Sequence, residues 1–321
     1  MMKFAAIELC IGHNMWFDKN APWNMGEHYN KFRDFLYFDR AVWDRVTEEL
    51  PRLGVSAVIV NLAEGVKYDC APELAVKGSL EKQEIKEMLA RLKELGITAI
   101  PKLDFSAAHD AWLGNYSKMP DTCAYREFVK KIIAEVCELF NYPEYFHLGM
   151  GDETVEYQKY YGLMIVRGPK AYWRDAYTMF DACRECGAKP IISGDSYYRD
   201  PLVFDKMIPD DVVIAAPYIE LWGGRIENET DEFGRDPRSE LQKKLETLTN
   251  RKNEFILVGK GLPTRQNLVD LFYFASIHPE KNIIGVMSQS ELATVDIFDY
   301  ALLNEAMRLG VGKKCFDVGE F

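Results

Sequence analysis

Eight short runs of apolar and β-branched residues recur along the chain, each followed by a longer stretch with apolar residues at helical spacing. The runs occupy residues 3–11, 55–62, 97–105, 145–150, 190–194, 212–219, 255–259 and 283–288. The helical stretches fall at 38–53, 80–95, 123–140, 170–186, 201–207, 239–248, 264–277 and 295–309. Eight strand–helix units in 321 residues match the count of a (β/α)8 TIM barrel, an α/β fold. Residues 1–321 read as one such domain. A doubly wound open sheet also alternates, but it usually has fewer strands and a Gly-rich phosphate turn after the first. Neither GxGxxG nor GxxxxGK occurs here.

Loop lengths give the barrel a polarity. Connections from helix to next strand are short, as in LGVS, LGIT, NYPEY and IPDD. Long connections follow strands 1, 2, 3 and 6, at residues 12–37, 63–79, 106–122 and 221–238. A barrel of this class builds its functional site from the loops after its strands, so that face is expected to carry the chemistry. Four of the six tryptophans, Trp16, Trp23, Trp112 and Trp222, lie in those loops. Indole rings stack on the apolar faces of pyranoses, and they also pack loops onto a barrel; the sequence leaves both roles open.

Charge narrows the partners. Lys and Arg total 39 against 50 Asp and Glu, a net charge of −11, which repels a phosphate backbone and argues against nucleic acid. A neutral carbohydrate suits that balance. No apolar run approaches the roughly 20 residues that cross a bilayer, so no membrane partner is expected. The N-terminal segment, broken by Glu8 and His13, reads as a first strand rather than a signal peptide. Seven irregularly spaced cysteines, including the isolated pair Cys183 and Cys186, suggest free thiols and a cytoplasmic location. No cofactor is implied, and a homo-oligomer is compatible with the composition.

The densest chemistry lies at the fourth strand, Tyr145-Phe146-His147-Leu148-Gly149-Met150-Gly151-Asp152-Glu153. Adjacent carboxylates at a strand end raise at least one pKa, which is what a general acid needs near neutral pH. An acidic turn capping the next helix would look the same. Glu64 follows the second strand and His109 the third. With Glu153 they come from three successive strands and could converge, Glu64 holding the imidazole and the imidazole contacting the acid.

These motifs resemble glycoside hydrolase family 20, the β-N-acetylhexosaminidases, from about Val55 to Glu153. Leu62-Ala63-Glu64 stands for the family's Leu-Thr-Asp, and Pro72-Glu73-Leu74 for a downstream Pro-Glu-Leu. The segment from Ile100 through Lys102 and Asp104 to His109 is similar to Ile-Pro-Glu-Ile-Asp-x-Pro-Gly-His, with one extra residue. Phe146 to Glu153 is similar to Phe-His-x-Gly-Gly-Asp-Glu, again one residue longer.

The resemblance implies retaining, substrate-assisted cleavage of a terminal β-linked N-acetylhexosamine. Glu153 would be the acid/base, Asp152 would orient the acetamido nucleophile, and His109 with Glu64 would support them. An enzyme of this kind does not need the close pair of acid and nucleophile carboxylates used by ordinary retaining glycosidases.

The chain also departs from the family. Where the family has a sugar-holding Arg after its first strand, this chain reads Gly12-His13-Asn14; the eighth strand carries Glu291 but has Gln289 in place of a Trp. The candidate substrate contacts are His13, Trp16, Asp104, Trp112, Asp195, Tyr218, Trp222 and Glu291, with Tyr218 in the place of a family Tyr that bonds the acetamido oxygen.

Two other readings stay open. One is a metal-dependent barrel hydrolase or sugar isomerase using Asp104, His109, His147, Asp152 and Glu291, although no HxH or ExxH spacing gathers ligands and no metal site is assigned. The other is a carbohydrate-binding barrel without turnover.

Overall fold

The computed structural model describes residues 2–14, 32–106, 111–151, 153, 155–158, 164–217, 237–259, 267–290 and 292–319. Its strands are β1 (Phe4–Cys10), β2 (Ala57–Asn61), β3 (Thr98–Lys102), β4 (Tyr145–His147), β5 (Lys189–Ser193), β6 (Val213–Pro217), β7 (Phe255–Gly259) and β8 (Ile283–Ser288). All neighbours pair in parallel, and β8 returns to β1 to close the barrel in sequence order. These are the eight strands expected from the alternation: β7 and β8 keep the expected bounds, β5 starts one residue earlier, and the others are shorter.

The main helices on the outside are α1 (Arg40–Glu49), α2 (Lys82–Glu94) and α3 (Cys123–Leu139), then α4 (Val155–Gln158) and α5 (Pro169–Glu185). They continue with α6 (Asp195–Arg199), α7 (Pro201–Met207), α8 (Pro237–Leu248), α9 (Asn267–Ile277) and α10 (Asp299–Val318). Local sequence sets several starts. Asp39 accepts from the amide of Ala41 at 2.8 Å, and Thr122 accepts from that of Tyr125 at 3.1 Å, so each satisfies an otherwise orphaned N–H. Pro201 opens α7 at a position where its missing N–H costs nothing. The last helix runs past the expected end at residue 309, to Val318, and stops at Gly319 in the left-handed region.

Strands covered on both faces carry apolar residues on both, so β1, β2, β6, β7 and β8 are buried throughout. One face joins the helices in the larger core. The other fills the barrel with Phe4, Ala6, Ala57, Ile59, Ile100, Tyr145, Ile191, Val213, Ile256, Val258, Ile284 and Met287. Phe4 and Tyr145 meet edge to face, with ring centroids 5.9 Å apart. Above this apolar plug, toward the carboxyl ends of the strands, the inward side chains turn polar. Among the described residues, no helix is long and apolar enough to cross a membrane.

Candidate active site

The floor of the barrel mouth is a buried charge network from three adjacent strands. Glu8 of β1 accepts from the Lys102 ammonium at 3.0 Å on each oxygen, and from Asn61 Nδ2 at 2.8 Å. Asp104 lies 3.8 Å beyond Lys102. Burial opposes a charge on Lys102, yet Glu8 and then Asp104 outweigh it and hold the ammonium above its ordinary range. In β4, His147 accepts at Nδ1 from the Gly149 amide at 3.0 Å, while Nε2 has no hydrogen-bonding partner among the described residues. Burial, reinforced by the Lys102 charge, pushes this imidazole down to about 3, so it is neutral.

Around the floor, the loops after β1, β2 and β3 lock together. Glu64 is buried, and its Oε1 accepts from the amides of His13 at 2.7 Å and Asn14 at 3.0 Å. Burial raises the carboxyl's pKa, against the pull of those amides. Glu64 was expected to hold the imidazole of His109, which lies outside the described residues; its carboxylate ties the β1 loop to the β2 loop. His13 is buried at that junction.

Asp104 accepts from the amide and hydroxyl of Ser106, at 2.9 and 2.5 Å. Trp112 is buried, packs on Phe105 with centroids 5.9 Å apart, and donates its indole N–H to Asp104 O at 2.9 Å. Of its two candidate roles, packing the loop onto the barrel is the one these contacts describe. Glu64 and Trp112 nonetheless border a cavity of about 420 Å³, rimmed by Asp34, Glu73, Lys77 and Lys118.

At the end of β4 the backbone turns sharply. Gly149 and Met150 both lie in the left-handed region, at φ 64° and 63°. A methyl group on Gly149 would sit 2.2 Å from Asp104 Oδ1, so only glycine fits between strand and carboxylate. Met150 is not glycine and holds a costly conformation, secured by Tyr172 donating to its carbonyl at 2.8 Å. Beyond the turn, Glu153 is buried. Arg167 Nε donates to its Oε2 at 2.9 Å and Nη2 pairs with Oε1. Arg199 holds the Glu153 carbonyl at 2.7 Å. Asp195 opens α6 and accepts from Ser193 Oγ at 2.5 Å.

Asp152, His109, Trp16, Tyr218, Trp222 and Glu291 lie outside the described residues. Four residues of this region escaped the sequence reading as site members. Glu8 and Lys102 each interrupt an apolar strand, a signal that a charge is buried with a partner, and Asn61 ends the strand between them. Arg167, in the connection before α5, carries no comparable signal. Among the described residues, no three His, Cys, Asp or Glu side chains are placed to hold a metal ion.

Taken together, these features define a TIM barrel whose mouth is lined by carboxylates from successive strand ends. No family model matches the sequence, and no curated protein matches it. Solved structures do match. The chain is similar to the β-N-acetylhexosaminidase of Bacteroides fragilis, at 17% identity and a TM-score of 0.59 over 95% of this chain and 65% of that one. It is similar to a mutant β-hexosaminidase of Streptomyces plicatus in complex with the product GlcNAc, at 12% identity and a TM-score of 0.59 over 96% of this chain and 63% of that one. Dispersin B matches with 12% identity and a TM-score of 0.53, over 98% of both chains. At such identities the likeness establishes a common barrel fold. The chain spans just under two thirds of the Bacteroides and Streptomyces enzymes.

Proposed function

We propose that this protein is a glycoside hydrolase acting on a terminal β-linked N-acetylhexosamine or a related sugar. The observation that carries the reading is a coincidence of position. The acidic pair Asp152–Glu153 follows β4 of a barrel that shares its fold, over 95% of this chain, with a β-N-acetylhexosaminidase. In this reading Glu153 protonates the leaving oxygen, and the sugar's own acetamido oxygen attacks the anomeric carbon. Asp152 orients that acetamido group, and His109 assists Glu153.

The buried pairing of Glu153 with Arg167 favours a second reading, a barrel that binds carbohydrate without turning it over. A panel of chromogenic glycosides with and without a 2-acetamido group separates the two. The hydrolase reading expects turnover of acetamido substrates and a loss of at least about 10²-fold in Glu153→Gln. Binding of the same sugars with no turnover of any of them would establish the second reading instead.

A further inference from the structure

Arg167 is joined to the proposed acid by geometry alone. Its guanidinium faces both oxygens of Glu153, donates to Phe105 O at 2.9 Å, and donates through Nη1 to Asp175 Oδ2 at 3.1 Å. Asp175 belongs to α5; it accepts from the Asp121 amide at 2.8 Å and lies 3.5 Å from Arg126. The side chains of Glu153 and Asp175 are fully buried and that of Arg167 is 2% exposed, so water does not compete for these bonds. The network therefore runs from the helical shell, through one cation, to the carboxyl at the end of β4.

A planar fork meeting a carboxylate edge sets both the position and the rotation of that carboxylate, which a point charge does not. When a general acid acts, the bond from the anomeric carbon to the leaving oxygen breaks. The proton of the acid bonds to that oxygen, and the carboxyl keeps the electron pair of its O–H bond. The acid ends the step as a carboxylate, the form a guanidinium prefers.

We propose that Arg167 is a positioning residue for Glu153. It orients the carboxyl and stabilises the carboxylate left after the proton has gone, while Asp175 fixes Arg167 from the helical shell. This rests on the reading of Glu153 as the proton donor. Without Arg167, Glu153 becomes a less well-aimed acid, and the loss falls on leaving groups that need protonation.

The test compares 2,4-dinitrophenyl and methyl N-acetyl-β-glucosaminides, the first departing without a proton and the second requiring one. Wild type, Glu153→Gln, Arg167→Met, Arg167→Lys and Asp175→Asn are assayed for kcat/KM, each checked by circular dichroism and a thermal melt. Arg167→Met is expected to lose at least about 10-fold more on the methyl glycoside than on the dinitrophenyl one. Arg167→Lys should recover part of that gap. Should Arg167→Met fail to fold, Arg167→Lys and Asp175→Asn are each expected to show a smaller gap of the same sign.

Equal losses on both glycosides in folded Arg167 variants, alongside a selective loss in Glu153→Gln, overturn the Arg167 proposal and leave the acid in place. A wild-type enzyme whose Glu153→Gln variant shows no selective loss overturns the assignment of the acid. A wild type that cleaves neither glycoside overturns the hydrolase reading and this inference with it.

Discussion

Both carboxylate oxygens of Glu8 on β1 accept from the ammonium of Lys102 on β3 at 3.0 Å, inside the barrel and shielded from solvent. The pair ties the first strand to the third, with Asn61 of the intervening strand donating to the same carboxylate. A buried ion pair is balanced between a large desolvation penalty and a strong attraction, so breaking one side costs more than removing both.

Lys102→Met should therefore destabilise the protein by about 3–5 kcal/mol, because Glu8 is left as an unpaired buried charge. Adding Glu8→Gln to that variant should recover much of the loss. Urea unfolding of the two single variants and the double variant measures the coupling. Losses that simply add would mean that the two side chains do not depend on each other.

His147 predicts an acid-sensitive fold. Its imidazole titrates near 6.5 when the chain is unfolded and near 3 in the folded barrel, where burial and Lys102 disfavour the cation. Between those values the unfolded state binds the proton and the native state does not. The stability present above pH 6.5 is thus lost as the pH falls toward 3. The contribution is on the order of a few kcal/mol. His147→Gln, whose side-chain oxygen can still accept from the Gly149 amide, should flatten the stability profile between pH 6.5 and 4. An unchanged slope in that variant would remove His147 as its source.

Gly149→Ala should cost about 2–4 kcal/mol, combining a left-handed backbone with a methyl group driven into the Asp104 carboxylate. Because the sequence makes Asp104 a candidate sugar contact, the same change should also weaken sugar binding. Thermal melts and calorimetric titration with N-acetylglucosamine measure the two effects. Native-like stability would show that the turn relaxes without strain.

The barrel was legible in the sequence because a parallel barrel needs a local pattern repeated eight times. Each strand carries apolar residues on both faces, and each outer helix exposes one polar side. Residues such as 57–61 and 255–259 announce themselves through their neighbours alone. The adjacent carboxylates Asp152 and Glu153 are visible in the sequence because they are neighbours in the chain.

What only the tertiary structure decided is which charge meets which. Glu8 and Lys102 are 94 positions apart, and Glu64 reaches back 51 positions to the His13 amide. Arg167 closes on Glu153 across a connection without periodicity. Patterns of hydrophobicity record whether a residue is covered by protein. They do not record a partner, because an electrostatic contact depends on two side chains that barrel closure brings together. The chain thus specified its strands residue by residue, and the packing of those strands and their loops decided which charges meet.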